Sequence, residues 1–167
     1  MRPLTGVEIS DAFVNVNADE LRVMTLPYDF LLTEWDHLDF FAWRDPSVRG
    51  RGYLAVEHDG EPVAVMLRVA DASPSRARTA LCNICHTMQP ADQVQLFTAR
   101  CAGDAGAAGD SVGSYMCADL DCHKSVRLAA PLAPSEIRAE GEVDARIDGT
   151  RHRAEAFVAR VMAVRGV

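Results

Sequence analysis

Cys82-Asn83-Ile84-Cys85 is followed, after thirty-one intervening residues, by Cys117-Ala118-Asp119-Leu120-Asp121-Cys122. A Cys-x-x-Cys pair bends the chain so that both sulfurs reach one ion from a single turn. Two close pairs divided by a hairpin-sized insert are a template for a tetrahedral four-thiolate zinc site. Cys82, Cys85, Cys117 and Cys122 are therefore the expected ligands of a Zn2+ ion. The residues around the second pair predict that Cys117 leaves a strand and Cys122 enters the first turns of a helix, where the helix's positive end favours a thiolate.

Other uses of these cysteines fit less well. Five cysteines leave one unpaired, and the N-terminus lacks the basic-then-apolar layout of an export signal, so disulfides are not expected. A thioredoxin-like centre needs its Cys-x-x-Cys at a helix start, whereas His86-Thr87-Met88-Gln89-Pro90 reads as a turn. Cys101 reads as a small buried apolar side chain. His86 and His123 stand beside ligands, but four thiolates already complete the shell. A closed shell leaves no position for a reacting water. The zinc-deaminase signature, a phosphate-binding glycine loop and a Gly-x-Ser-x-Gly elbow are all missing, and Asp119 and Asp121 read as residues of a helix start. The expectation is a structural metal and no enzyme. Such a metal supplies ~10–16 kcal/mol of apparent binding free energy to a segment too small to fold unaided.

Outward from the cysteines, the clearest pattern is Gly52-Tyr53-Leu54-Ala55-Val56-Glu57-His58 and Pro62-Val63-Ala64-Val65-Met66-Leu67-Arg68-Val69 about Asp59-Gly60. Asp-Gly between two apolar runs predicts a tight antiparallel hairpin. Further strands are expected at 93–101 and 111–117, with a flexible Gly/Ala/Asp turn between them, and a helix at 118–128. Upstream, Asn17 is placed to cap a short helix through Met24, and 33–43 reads as a second helix with Trp35, Leu38 and Phe41 on one face. Past a loop at 71–75 comes a short segment at 78–81. Pro131 and Pro134 precede a helix from a Ser135 cap through Ile137, Val143 and Ile147, stopped by Gly149. The segment 151–163 then carries Ala156, Phe157, Arg160 and Val161 at helical spacing, with a terminal strand as the alternative. With strands clustered centrally, the predicted class is α+β, an antiparallel sheet with flanking helices.

The chain has 167 residues and a net charge of −7, with 49% apolar and 25% charged residues, as a soluble globular protein has. It has no ~18-residue apolar run, so no membrane span and a cytoplasmic location are expected. Residues 1–45 carry nine acidic and three basic side chains, and sixteen of the seventeen basic residues are arginine, Lys124 being the one lysine. The acidity opposes generic nucleic-acid binding.

The block from Gly109 through Tyr115-Met116-Cys117 and Cys122 to Val126-Arg127, with the upstream Cys82-x-x-Cys85, resembles the C-terminal treble-clef zinc finger of elongation-factor-G-binding proteins, the FusB-type fusidic-acid-resistance family. Leu38-Asp39-Phe40-Phe41-Ala42-Trp43-Arg44-Asp45-Pro46 and the Asp59-Gly60 hairpin resemble that domain's opening, so the similarity spans about residues 35–165. The resemblance implies a finger at 80–128 inside a domain at 35–167, with 1–34 an acidic extension holding a short helix. It implies zinc on the four cysteines and elongation factor G as partner, bound through a surface near the finger with Tyr115, Lys124 and Arg127 as candidates and Phe97 and Phe157 as weaker ones. In resistant members the bound protein helps the factor leave a drug-trapped ribosome without altering the drug. Those members carry a helical bundle ahead of this domain, for which 34 residues are too few. Two other readings stay open. One is a ribosomal-RNA binder using Arg146, Arg151, Arg153, Arg160 and Arg165 as a basic edge, and the other is a redox switch that ejects zinc on thiolate oxidation.

Overall fold

The computed structural model describes residues 1–70, 78–128 and 140–163. The loop expected at 71–75, Pro131, Pro134, the Ser135 cap, Ile137 and Arg165 lie outside them. The chain opens with α1 (Gly6–Asp11) and α2 (Ala18–Arg22). Each starts in a capping box. The Thr5 and Asn17 side chains accept from the Glu8 and Glu20 amides, and those glutamates accept in return from the Thr5 and Asn17 amides. The helix expected at Asn17 is thus present, ending at Arg22.

The helix expected over 33–43 is not formed. Trp35–His37 makes one 3₁₀ turn, and β1 (Phe41–Arg44) is a strand. Its burial alternates with period two, and Phe41 and Trp43 stack at 4.7 Å between ring centroids on the same face as Tyr53, 4.8 Å from Trp43. Aromatic packing across a sheet face outweighs four residues of ambiguous periodicity.

β2 (Arg51–His58) and β3 (Glu61–Val69) form the expected hairpin, pairing from His58↔Glu61 to Arg51↔Arg68. Asp59 and Gly60 both have positive φ, 52° and 84°, as the mirror-image two-residue turn requires. After β4 (Thr79–Leu81) and β5 (Met88–Pro90), which pair only with each other, come β6 (Val94–Arg100), α3 (Gly103–Ala107) and β7 (Ser111–Cys117). The turn expected before Asp110 therefore contains one short helix. The helix expected over 118–128 is shorter, α4 (Cys122–Arg127), because residues 118–121 form a tight turn. The main sheet is antiparallel with order β1-β2-β3-β6-β7.

Gly149 does not stop a helix. α5 (Glu142–Met162) runs through it and buries Thr150, Ala154, Phe157, Val158 and Val161. A helical glycine costs about 1 kcal/mol relative to alanine, less than burying a single large apolar side chain returns.

The sheet is covered on both faces. Leu54, Val65 and Leu67 point with Phe97 toward α4, α5 and the cysteines, while Tyr53, Ala55, Ala64 and Met66 face Leu4, Ile9, Phe41 and Trp43. Residues 1–34 supply much of that second layer. β3 and β6 pair only at Arg68↔Thr98 and Val69↔Phe97. Two residues further in the same register the strands part, and Asn15 bridges them. Its amide donates to the Met66 and Arg100 carbonyls, each at 3.0 Å, and its oxygen accepts from the Met66 N–H at 2.7 Å. Beside it, Ala64 exchanges backbone bonds with Ala12 and Val14 at 2.8 and 3.0 Å. No described helix is long and apolar enough to cross a membrane.

Candidate metal centre

Two tight turns deliver the sulfurs. In the first, Cys82 and Cys85 flank Asn83-Ile84. The amides of Ile84 and Cys85 donate to the Cys82 sulfur at 3.4 and 3.5 Å, and the His86 amide closes the turn on the Cys82 carbonyl at 2.9 Å. In the second, Cys117 ends β7, the Leu120 amide bonds the Cys117 carbonyl at 2.9 Å, and Cys122 opens α4. His86 and Leu120 each hold positive φ, 54° and 65°, so both turns reverse through the same left-handed step.

All four cysteines are buried and their Sγ atoms lie within 4.8 Å of one another. Cys82 to Cys122 and Cys85 to Cys117 are each 3.6 Å between sulfurs. A tetrahedron with Zn–S bonds of 2.3 Å has edges of about 3.8 Å, so the cluster has the size of a four-thiolate zinc shell. Crowding makes the thiols unequal in proton affinity. Hydrogen bonds from Cys117 and Cys122 hold Cys82 and Cys85 below the ordinary thiol range, while Cys117, Cys82 and Cys85 push Cys122 well above it. A divalent cation is what lets four sulfurs at this spacing carry charge together. These residues fit zinc, and its role is structural. Four sulfur donors fill the shell, and the ion ties β7 and α4 to the first turn.

Three further residues approach the sulfurs. The Gln89 amide donates to the Cys117 Sγ at 3.1 Å, and the Ser125 hydroxyl lies 3.7 Å from it. From α5 the Arg153 Nε donates to the Ile84 carbonyl at 2.6 Å. Gly149, four residues earlier on α5, leaves room for that guanidinium. A Cβ on Gly149 would meet the Arg153 Nη1 at 2.8 Å.

The other candidates scatter. Tyr115, half exposed on the edge strand β7, is anchored by its carbonyl, which accepts from the Asn83 amide at 2.8 Å. Lys124 is exposed and paired with Asp121. Arg127 is held in a two-pronged pair with Asp39 at 2.9 and 3.2 Å and also caps the His123 carbonyl at 2.8 Å. Phe97 and Phe157 are corrected: both are buried in the core, where they pack rather than meet a partner. Cys101 is half-buried rather than buried, and among the described residues neither His86 nor His123 joins the sulfur cluster. Of the expected basic edge, three residues have partners within the chain. Arg153 turns inward to Ile84, Arg160 donates to the Gly113 carbonyl at 3.3 Å, and Arg151 faces Asp148 and Glu155 at 3.5 and 3.8 Å.

No curated protein and no solved structure matches the chain. The profile of one family does match, the FBP C-terminal treble-clef zinc-finger, over residues 8–161. Both cysteine turns, the three strands between them and the closing helix fall inside that span, and the chain belongs to the FBP C-terminal treble-clef zinc-finger family.

Proposed function

We propose that this protein is a non-enzymatic, zinc-stabilised binding module whose partner is translation elongation factor G. The carrying observation is the closed, buried four-sulfur cluster, which leaves the ion without an open position and makes the finger a rigid platform. The resemblance to elongation-factor-G-binding proteins supports the choice of partner, and membership of the FBP C-terminal treble-clef zinc-finger family agrees with it. The finger's outer side also supports a protein interface. Leu81 and Met88 are cross-strand neighbours, exposed at 42% and 58%, and Tyr115 is exposed at 51% on the strand against which the first cysteine turn docks. Exposed apolar and aromatic side chains on a rigid frame are typical binding anchors.

Titration of the zinc-loaded protein with elongation factor G from the same organism, and separately with ribosomal RNA, tests this across a salt series. The expected result is saturable binding to the factor with a shallow salt dependence, weakened about tenfold by Tyr115→Ala. Absence of association at micromolar protein overturns the reading. Binding to RNA alone, with the steep salt slope of phosphate neutralisation, replaces it.

A further inference from the structure

The two edges of the main sheet are finished differently. On β7 the register and the Cys101–Asp110 backbone bond turn Ser111, Gly113, Tyr115 and Cys117 outward, and three of their carbonyls are taken, Gly113 by Arg160, Tyr115 by the Asn83 amide and Cys117 by the Leu120 amide. On β1 the register and the Asp45–Arg51 backbone bond turn the N–H and C=O groups of Ala42 and Arg44 outward. Among the described residues no hydrogen-bond partner meets those groups.

That bare edge forms one side of a cleft of about 650 Å³. One wall is the segment ahead of β1, with Asp29, Leu32 and Glu34, and the other is the finger, with Asp119, Lys124 and Arg127. The cations on the finger side are engaged, Lys124 by Asp121 and Arg127 by Asp39. Arg44 is bound to the Gln95 amide oxygen and the Ala118 carbonyl, both at 3.3 Å. Asp29 and Glu34 line the cleft with no ion pair among the described residues, Asp29 acting on Lys124 only at a distance, in a stretch where residues 1–45 hold nine acidic and three basic side chains. Leu32, on the acidic wall, stands 81% exposed.

We propose that this cleft receives an extended, basic segment of a partner protein as an added strand on β1. A sheet edge with unpaired backbone groups is a template for strand addition, in which main-chain bonds give affinity and alternate side chains give specificity. The unpaired carboxylates select positive charge, and the exposed Leu32 accepts an apolar side chain of the same strand. The cleft uses the β1 edge, opposite Tyr115 on β7, and no cysteine, and it shares with the finger's surface the wall of Asp119, Lys124 and Arg127.

The test uses the full zinc-loaded chain and a capped Lys-Val-Lys-Val-Lys-Val peptide. The controls are its backbone N-methylated form and the corresponding Glu-Val peptide. The expected result is saturable binding of the Lys-Val peptide tighter than about 1 mM. Amide hydrogen exchange at Ala42 and Arg44 should slow at least tenfold, and both control peptides should bind at least tenfold more weakly. Ala42→Pro removes an outward N–H while leaving the bonds to β2 intact, a substitution that edge strands tolerate, and should abolish binding without lowering the melting temperature. Should that variant fail to fold, the N-methylated peptide decides alone. Equal binding of the N-methylated or acidic peptide overturns the proposal, as does the absence of saturation. A β1-paired dimer of this chain in sedimentation equilibrium, lost in Ala42→Pro, overturns it in favour of self-association.

Discussion

The Cys117 sulfur lies 3.6 Å from the Cys85 sulfur and takes a hydrogen bond from the Gln89 amide at 3.1 Å. Replacing it by serine swaps a thiolate for a hydroxyl that does not ionise at neutral pH. Cys117→Ser is therefore expected to bring bound zinc well below one ion per chain and to strip amide protection from the finger, read by metal analysis and hydrogen exchange. Arg153 tests the outer support. Arg153→Ala frees the Ile84 carbonyl and removes a cation beside the cysteines, so zinc affinity should fall about tenfold in a chelator competition. Gly149 and Arg153 should also be coupled. Gly149→Ala is expected to add about 1 kcal/mol of helix stability in an Arg153→Ala background and clearly less with the guanidinium in place, measured by urea unfolding. The cysteines were legible because metal geometry imposes short, local spacings. Arg153 was not, because nothing local distinguishes an arginine aimed at solvent from one aimed at a turn sixty-nine residues away.

At the scale of single elements, α1 depends on charge at its first turn. The Thr5 backbone N–H, with Arg2 and the Thr5 hydroxyl, lowers the Glu8 carboxyl from an ordinary 4.5 to about 2. A folded-state value below the unfolded one means the contribution is complete above 4.5 and lost as pH falls toward 2. Amide protection in α1 should follow that window, and Glu8→Gln should remove the dependence. The Asp59-Gly60 hairpin was readable because its turn requires positive φ that few residue pairs accept. β1 was misread because four residues hold too few alternations to separate period two from 3.6. Its deciding contacts come from Tyr53 across the sheet and from Phe30 and Trp35, both packed on Phe41. Sequence alone stops a helix at Gly149 because propensity speaks locally, whereas the buried stripe of α5 is set by the sheet and finger beneath it.

Across the whole molecule, the N-terminal segment is part of the sheet's architecture. Leu4, Ile9 and Ala12 share a buried layer with Phe41, Trp43, Tyr53 and Met66. Glu20 pairs with Arg68 of β3 at 2.8 Å and Arg100 of β6 at 2.7 Å. A chain beginning at residue 35 is expected to expose that layer, to bind an apolar dye and to aggregate on warming, checked by fluorescence and light scattering. Asn15→Leu orphans the Met66 N–H and two carbonyls and should cost about 2–4 kcal/mol in denaturant unfolding. No sequence pattern announces this, since one asparagine in a polar-apolar stretch reads as a turn until strands far along the chain present their unpaired groups. The same asparagine sets a timetable. Its acceptor on Arg100 lies eighty-five residues downstream, so during synthesis the docking slot for residues 4–15 does not exist until Arg100 has emerged. Residues made early are thus late to settle, and a strip of Leu4, Ile9 and Phe13 waits solvated for its place.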